Sequence, residues 1–434
     1  MNRDAFYTLV KWKESKFRKP LIIKGARQVG KTWLMKKFGE EHYSTVAYIN
    51  FENNNRMQQL FEQDFDIKRI IFGLQIEANT QINENTLFIL DEIQEVPKAL
   101  TALKYFFENA PQLHILAAGS ALGVAIHEGI SFPVGKVDFL DLFPMTFLEF
   151  LRATENEQLV ELITSKDFSL ISVFKEKLID LLKHYYFIGG MPEAVLLYKE
   201  TSDLNLVREA HRRLLYAYEQ DFSKHVPVNL LPRLHMVWHS IPTQLSRENR
   251  KFIYGLVKEG ARAREYEVAL QWLFDMGLAS KVTRITKPDI PVNAYLDPNS
   301  FKLFMNDVGL LSTLSNLDAK SLLEGNRIFE EFKGALTEQF VFQELRSMNN
   351  INPYYWSADR GLAEVDFIIE IAGEVIPIEV KSSTNLRGKS LKSYYERFQP
   401  IKTVRVSMAD YRDEGWLLNI PLYALSDALE LVNL

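Results

Sequence analysis

The sequence contains no cysteine among its 434 residues. Disulfides, thiolate zinc sites and cysteine nucleophiles are therefore excluded, and such a chain suits a reducing compartment. The sequence also lacks an apolar run long enough to span a membrane, and its first residues contain no apolar signal segment. We therefore expect a cytoplasmic protein with no membrane partner.

An excess of positive charge is also missing. The formal net charge is −5 at pH 7, which argues against a uniformly basic surface for nucleic acid. Basic side chains concentrate locally in residues 11–19, 247–264 and 381–405, and each stretch is equally well explained as a solvated surface. The eight histidines show no metal-ligand spacing such as H-E-x-x-H, so we do not expect a zinc enzyme.

The length of the chain predicts several domains, because a single hydrophobic core rarely grows to this size. Residues 1–150 alternate short apolar runs with helical patterns, which predicts a parallel sheet covered by helices. The candidate strands are residues 21–23, 46–49, 87–90, 115–118 and, less regularly, 137–142. Residues 151–240 then show a mainly helical pattern.

The pattern changes twice more along the chain. Residues 241–320 contain two helical stretches, 249–258 and 265–276, followed by strand-like segments, which is typical of a winged-helix-like domain. Residues 321–434 combine helices with short strands and predict a second α/β domain. The sequence therefore predicts a multidomain α/β fold.

A glycine-rich segment follows the first candidate strand. Its residues are Gly25, Ala26, Arg27, Gln28, Val29, Gly30, Lys31 and Thr32. All eight are candidates for nucleotide contacts, because they fit the phosphate-loop pattern G-x-x-x-x-G-K-[ST], whose backbone N–H groups surround phosphate oxygens. Lys31 would place its ammonium against the β and γ phosphates, and the Thr32 hydroxyl would ligate Mg²⁺. The segment therefore predicts ATP and Mg²⁺ as cofactors.

Two later strands supply candidate partners for this loop. The strand at 87–90 ends in Asp91 and Glu92. Asp91 would hold Mg²⁺, and Glu92 would orient or deprotonate the attacking water. The strand at 115–118 leads to Ser120, which could sense the γ-phosphate through a hydrogen bond. An ordinary Gly-Ser turn at the end of a strand explains Ser120 equally well.

A second group of charged residues lies near the C-terminus. Asp366 begins one predicted strand, and Glu379 and Lys381 share one face of the next. Two carboxylates can hold Mg²⁺ while a lysine positions or deprotonates a water near a phosphodiester. Glu338, on the preceding helix, is a candidate fourth member and metal ligand. As a bare string, the pattern is equally well explained by surface charge pairs.

Together these motifs resemble the prokaryotic AAA-type ATPases whose C-terminal half is the DUF4143 domain. The resemblance is carried by residues 25–32, 90–94, 118–120, 132–136, 142–151 and 189–193. It implies an AAA-type ATPase core, a helical lid, a winged-helix-like middle and a C-terminal domain similar to PD-(D/E)XK (restriction-endonuclease-like) nucleases. We assign these to residues 1–150, 151–240, 241–320 and 321–434, respectively.

The resemblance also bears on single residues. Asp366, Glu379 and Lys381 match the three central positions of the nuclease pattern. Lys136 stands where relatives usually carry an arginine that could act on the γ-phosphate, and lysine lacks the planar fork of arginine. Lys136 is therefore either a nucleotide contact or only a loop cation. The motif at 189–193 also has a structural explanation, in which its glycines end one helix and its proline starts the next.

Two functional hypotheses follow. The first is an ATP-hydrolysing protein that acts on DNA through a Mg²⁺-dependent nuclease-like domain. The alternative is an ATP-dependent switch that binds DNA or a partner protein, with a catalytically silent nuclease-like domain. Its basic candidates for binding are Arg247, Arg250, Arg262 and Arg264. We therefore expect ATP and DNA as partners, and a homo-oligomer is among the assemblies that the resemblance leaves open.

Overall fold

The chain is described by a computed structural model. The residues that the structure describes are 2–83, 85–120, 133–247, 250–320, 330–348, 351–358, 363–383 and 389–433. They divide into two compact units, Met1–Phe143 with Asp275–Gly277, and Pro144–Phe274 with Leu278–Leu434. Across these described ranges, no helix is both long and apolar enough to cross a membrane.

The first unit is built on a five-stranded sheet with the strand order β2-β3-β4-β1-β5, in which neighbouring strands are parallel. Its strands are β1 (Leu21–Lys24), β2 (Thr45–Asn50), β3 (Thr86–Asp91), β4 (His114–Gly119) and β5 (Asp138–Asp141). Its helices are α1 (Ala5–Glu14), α2 (Lys31–His42), α3 (Asn55–Gln63), α4 (Ile67–Glu77) and α5 (Pro97–Asn109). The predicted parallel sheet is confirmed, including its short fifth strand.

The register of this sheet decides where its loops meet. Lys24 at the end of β1 pairs with Gly119 at the end of β4, and Leu90 of β3 pairs with Ala117 of β4. The C-terminal ends of these three strands therefore lie at one edge, where the glycine-rich loop and Glu92 also begin. Ligands of open parallel sheets bind at this edge.

The chain continues after β5 with a series of helices. They are α6 (Phe147–Ala153), α7 (Glu157–Thr164), α8 (Phe168–Val173), α9 (Lys175–Ile188), α10 (Pro192–Thr201), α11 (Leu204–His225), α12 (Leu231–Leu245), α13 (Tyr254–Val257) and α14 (Ala263–Asp275). Gly189 follows α9 with φ 66°, and Pro192 is the first residue of α10. The structural explanation of the motif at 189–193 is therefore confirmed.

The second unit also contains an eight-stranded mixed sheet with the order β12-β13-β11-β10-β9-β8-β6-β7. Its strands are β6 (Ala279–Ile285), β7 (Leu296–Met305), β8 (Tyr354–Ser357), β9 (Glu364–Ile371), β10 (Glu374–Val380), β11 (Thr403–Ser407), β12 (Arg412–Asp413) and β13 (Leu417–Pro421). The helices of this region are α15 (Val308–Leu314), α16 (Glu330–Ser347), α17 (Lys389–Phe398) and α18 (Leu425–Ala428). The segment thus has the second α/β character that the sequence predicts.

This sheet joins two of the predicted domains. Strand β6 pairs with β7 in an antiparallel hairpin and with β8 in parallel, so strands from 241–320 and 321–434 share one sheet within one compact unit. The winged-helix-like assignment and the four-domain division stay predictions.

The helix predicted at 249–258 is present only as the single turn α13. Arg250 has a left-handed backbone, with φ 45°, and Lys251 forms an isolated bridge with Lys302 of β7. The backbone N–H of Phe252 donates a hydrogen bond to the Phe301 carbonyl at 2.8 Å. The stretch before α13 therefore lies extended along β7, because its backbone finds partners in a strand that is distant in sequence.

Candidate functional site

The glycine-rich loop joins β1 to α2 and requires glycine at two positions. Gly30 has φ 96° and immediately precedes α2, a left-handed conformation that glycine adopts without strain. Gly25 has φ 152°, and a Cβ atom there would overlap the carbonyl oxygen of Leu142. The loop backbone can therefore wrap closely, and the first turn of α2 presents unpaired N–H groups, which favour anions.

Lys31, the first residue of α2, turns back into the loop. Its side chain is buried, and Nζ donates hydrogen bonds to the carbonyl oxygens of Gly25 and Ala26, both at 2.9 Å. Burial lowers the pKa of Lys31 to about 8, although the nearby charges of Glu92 and Asp91 raise it. The ammonium is thus held inside the loop by weak carbonyl acceptors, which the oxygens of a phosphate can replace with a stronger charge-assisted contact.

Asp91 connects two elements at the C-terminal edge of the sheet. It is 3% exposed, and its Oδ2 atom accepts hydrogen bonds from Thr32 Oγ1 at 2.7 Å and from the Tyr48 hydroxyl at 3.0 Å. Burial raises the pKa of Asp91, and both hydrogen bonds oppose that rise. The two side chains predicted to hold Mg²⁺ are therefore in direct contact.

Tyr48 was not identified from the sequence. It lies in β2, whose Asn50 pairs with Asp91, and the ammonium of Lys36 lies 3.8 Å from the centre of its ring. A tyrosine near the C-terminal end of the strand beside β3 is the sequence signal that could have indicated this contact.

Glu92 follows β3 with a left-handed backbone, φ 51° and ψ 45°. Its Oε2 atom accepts hydrogen bonds from Ser120 Oγ at 3.1 Å and from Gln94 Nε2 at 2.7 Å. A left-handed conformation at a non-glycine residue is uncommon and is concentrated at functional positions. The structure therefore brings Ser120 to the predicted water-activating residue, which favours the polar role of Ser120 over a simple turn.

Lys136 does not lie near the glycine-rich loop. It precedes β5, whose first residue Asp138 pairs with Leu21, the first residue of β1. Lys136 forms an ion pair with Glu108 at 3.0 Å, near the end of α5. Lys136 thus lies at the N-terminal edge of the sheet, away from the edge that carries the glycine-rich loop. Phe132, in the same motif, lies outside the described residues.

In the second unit, the residues of the C-terminal pattern share one region of the mixed sheet. Phe367 pairs with Ile378, which places Asp366 opposite Glu379 in the antiparallel pair β9–β10. Asp366 Oδ2 accepts a hydrogen bond from the backbone N–H of Val380 at 2.8 Å. The hairpin predicted from the sequence is therefore present.

Cationic side chains occupy the space among these carboxylates. Lys302 of β7 is fully buried, and its Nζ atom lies 2.6 Å from Glu364 Oε1, 3.7 Å from Glu338 Oε2 and 3.8 Å from Asp366 Oδ1. Arg250 forms an ion pair with Glu338. Lys302 had a sequence signal, because it is a lone charge in the apolar run 301–305.

The charge of Glu379 is also compensated by cationic side chains. Its two carboxylate oxygens lie 3.2 Å from Lys381 Nζ and 3.5 Å from Arg405 Nε. Within the described part of the chain, Glu338, Asp366 and Glu379 do not form a group whose ligand atoms converge on one point. The structure thus places the predicted metal ligands together in one charged cluster. Within that cluster, each carboxylate is paired with a cationic side chain.

Burial changes the pKa values in this cluster. It raises the pKa of Glu364, and the charge of Lys302 opposes that rise. It lowers the pKa of Arg250, against the opposing charges of Asp366 and Glu364. Each buried charge therefore depends on a buried partner of opposite sign.

Family models match three segments of the chain. Residues 17–151 match the AAA domain, residues 179–321 match a domain of unknown function named DUF8612, and residues 333–423 match DUF4143, also of unknown function. The N-terminal part of the chain thus matches the AAA domain, and the C-terminal part matches DUF4143. The parallel sheet, the glycine-rich loop and the Asp91 edge all belong to the AAA segment.

Two curated relatives match part of this chain. Uncharacterized proteins of Mycobacterium tuberculosis and Mycobacterium bovis are each 31% identical to it over 113 residues. These matches cover 26% of this chain, and the chain spans about a quarter (24%) of the length of those relatives.

Several solved structures resemble this chain at low identity. A Walker-type ATPase of Pyrococcus abyssi is 15% identical with a TM-score of 0.46, covering 72% of this chain and 95% of that one. The Orc1 protein of Aeropyrum pernix, solved in complex with DNA, is 12% identical with a TM-score of 0.29, covering 72% and 90%. The Holliday junction branch migration motor RuvB of Thermotoga maritima is 12% identical with a TM-score of 0.30, covering 65% and 90%.

Proposed function

We propose that the AAA domain binds ATP with Mg²⁺ and hydrolyses it. The observation that carries this proposal is the contact between Thr32 and Asp91 beside the buried ammonium of Lys31. A phosphate loop alone indicates anion binding, whereas a loop hydroxyl joined to a buried carboxylate supplies the two oxygen ligands that a Mg²⁺–nucleotide complex uses.

Each residue has a distinct part in this proposal. Lys31 would exchange its carbonyl acceptors for phosphate oxygens, and Thr32 and Asp91 would hold Mg²⁺, which neutralises phosphate charge when bound. Glu92 would accept the proton of the attacking water or orient that water. Because Ser120 already donates to Glu92, a γ-phosphate that draws the Ser120 hydroxyl away would remove one of the two side-chain donors from the carboxylate and make it a better proton acceptor.

The binding step is tested with Lys31→Ala, measured by calorimetric titration of Mg²⁺–ATP into the full chain. We expect Lys31→Ala to abolish measurable binding, because the buried ammonium is the main cation inside the loop. Lys37→Ala is the matched control, since Lys37 lies on the same helix but forms an exposed ion pair with Glu41. Tight nucleotide binding by Lys31→Ala would contradict the proposed site.

For the C-terminal part, we propose that it serves an ATP-dependent switch and is catalytically silent as a nuclease. The supporting observation is that Lys302 and Arg250 lie among the carboxylates that would hold Mg²⁺. A buried ammonium close to three carboxylates competes directly with a divalent cation for the same oxygen atoms.

This second proposal is tested on plasmid and linear DNA with Mg²⁺ or Mn²⁺, with and without ATP. We expect no cleavage above that of a Lys381→Ala variant under any of these conditions. Cleavage by the wild-type chain that Lys381→Ala abolishes would show instead that the nuclease-like site is active, as in the first hypothesis from the sequence.

We propose DNA as the partner of the switch, through its exposed arginines. Arg250 forms an ion pair with Glu338. The other three basic candidates, Arg247, Arg262 and Arg264, are exposed. Changing those three to glutamine should weaken DNA binding and lower the slope of its salt dependence by about 0.9 for each phosphate that an arginine neutralises in the wild type. Unchanged binding and slope would rule out this surface.

A further inference from the structure

The helices α11 and α12 lie side by side and are held by aromatic contacts. Trp238 of α12 is fully buried, and its ring lies 5.9 Å from Phe222 and 6.4 Å from Tyr218 of α11, both edge to face. These contacts fix the two helices against each other. The same two helices carry three side chains that could bind a metal ion, Glu219 on α11 and His235 and His239 on α12. Glu219 and His235 are half-buried, and His239 is exposed.

Each of the three side chains brings one ligand atom close to the other two. Their ligand atoms all lie within 4.8 Å of one another, and Glu219 Oε1 is 3.4 Å from His239 Nε2. His235 and His239 are four residues apart on α12, so they occupy one helix face, and their rings are nearly parallel at 16°. The ring of Phe222 packs edge to face against His235 at 5.6 Å and restricts its orientation.

We propose that Glu219, His235 and His239 bind one transition-metal ion of the Zn²⁺ class. Two imidazoles and one carboxylate suit Zn²⁺, Co²⁺ or Ni²⁺, whereas Mg²⁺ and Ca²⁺ prefer oxygen ligands. Three protein ligands leave a fourth position of a tetrahedral ion for water. The side chain of His239 is 55% exposed, so water reaches that position.

A simple ion pair does not explain the group as well. An exposed pair between Glu219 and His239 contributes little to stability and needs only one imidazole. Here a second imidazole, that of His235, also has a ring nitrogen within 4.8 Å of the other two ligand atoms, although one helix turn separates it from His239. The expectation that the histidines show no metal-ligand spacing is wrong here, because His235 and His239 have the four-residue separation found in H-E-x-x-H. Met236 stands in place of the glutamate of that motif, and the third candidate ligand, Glu219, comes from another helix.

The site belongs to the helical region of the second unit and is independent of the ATP proposal. It shares no residue with the glycine-rich loop or with the charged cluster around Lys302. Its ion would join α11 to α12 and thereby stabilise the packed pair, since metal affinity adds directly to the stability of the folded state.

The test is a titration of the nucleotide-free full chain with Co²⁺ in excess Mg²⁺, which occupies oxygen-rich sites. Visible absorption of Co²⁺ reports coordination by imidazole, and equilibrium dialysis gives the stoichiometry. We expect one Co²⁺ per chain, displaced by Zn²⁺, and a higher melting temperature with Zn²⁺. His235→Ala and His239→Ala should each weaken Co²⁺ binding by about tenfold or more.

Two further variants sharpen the test. Glu219→Gln should weaken binding while leaving the melting temperature of the metal-free chain close to that of the wild type. His225→Ala removes a histidine from the last turn of α11 that is not in the group, and it should keep wild-type affinity. Absence of stoichiometric Co²⁺ binding in the wild type, or wild-type affinity in the His235→Ala His239→Ala double variant, would overturn the proposal.

Discussion

Replacing Lys302 with methionine tests the charged cluster of the mixed sheet. Methionine fills a similar volume without the ammonium, so Glu338, Glu364 and Asp366 lose a cation within 3.8 Å. Lys302 is fully buried, and water cannot replace it without opening the sheet. Removing one partner of a buried ion pair costs about 3–5 kcal/mol, because the remaining charge is left uncompensated.

The stability lost in Lys302→Met should depend on pH in a defined direction. The pKa of Glu364 is already raised by burial, and loss of Lys302 raises it further. A carboxyl group whose folded-state pKa is raised favours the folded state at low pH and loses that contribution as the pH rises. The stability deficit of Lys302→Met should therefore be small at a pH near 4.5, the ordinary pKa of glutamate, and should grow as the pH rises further.

The assay is thermal unfolding followed by circular dichroism across this pH range. A stability deficit of about 3 kcal/mol predicts a melting temperature lower by about 5 °C near pH 7.5. Lys381→Met is the matched control, because the Lys381 side chain is 31% exposed and should cost about 1 kcal/mol or less. A Lys302→Met protein that melts like the control, or a deficit independent of pH, would refute the reasoning.

Three other changes test separate contacts. Tyr48→Phe removes one hydrogen bond to Asp91 and should weaken Mg²⁺ binding to the ATP complex by about tenfold, measured by titration calorimetry. Gly25→Ala should prevent ATP binding, because the added methyl group overlaps the Leu142 carbonyl, and its melting temperature should fall. Asp307, just before α15, accepts a hydrogen bond from the backbone N–H of Leu310 at 2.9 Å. Burial raises the pKa of Asp307 to about 6, so its contribution to stability falls as the pH rises through about 6. Asp307→Asn should remove that part of the pH dependence of melting.

The segment that matches the AAA domain was predictable because its signals are local. A glycine-rich loop, a helix directly after it and apolar strands ending in acidic residues each occupy a short window of sequence. The parallel register then follows from alternating strands and helices, and it brings Thr32 to Asp91. The helix boundary at Gly189 and Pro192 was predictable for the same reason.

The parts that the sequence did not reveal depend on distant partners. Arg250 and Lys302 reach the acidic residues from elements far away in sequence, so no spacing rule links them to Asp366. Lys136 has the sequence context of a γ-phosphate contact, yet the direction of β5 places it at the other edge of the sheet. The helix expected at 249–258 is mostly replaced by an extended segment along β7.

We propose that this AAA domain hydrolyses ATP with Glu92 as the residue that activates water. The most direct measurement is phosphate release by Glu92→Gln together with its affinity for Mg²⁺–ATP. We predict affinity close to that of the wild type and hydrolysis slower by about 10²–10⁴-fold, because the amide keeps the shape of Glu92 but cannot accept the proton. Hydrolysis by Glu92→Gln at the wild-type rate would contradict this account.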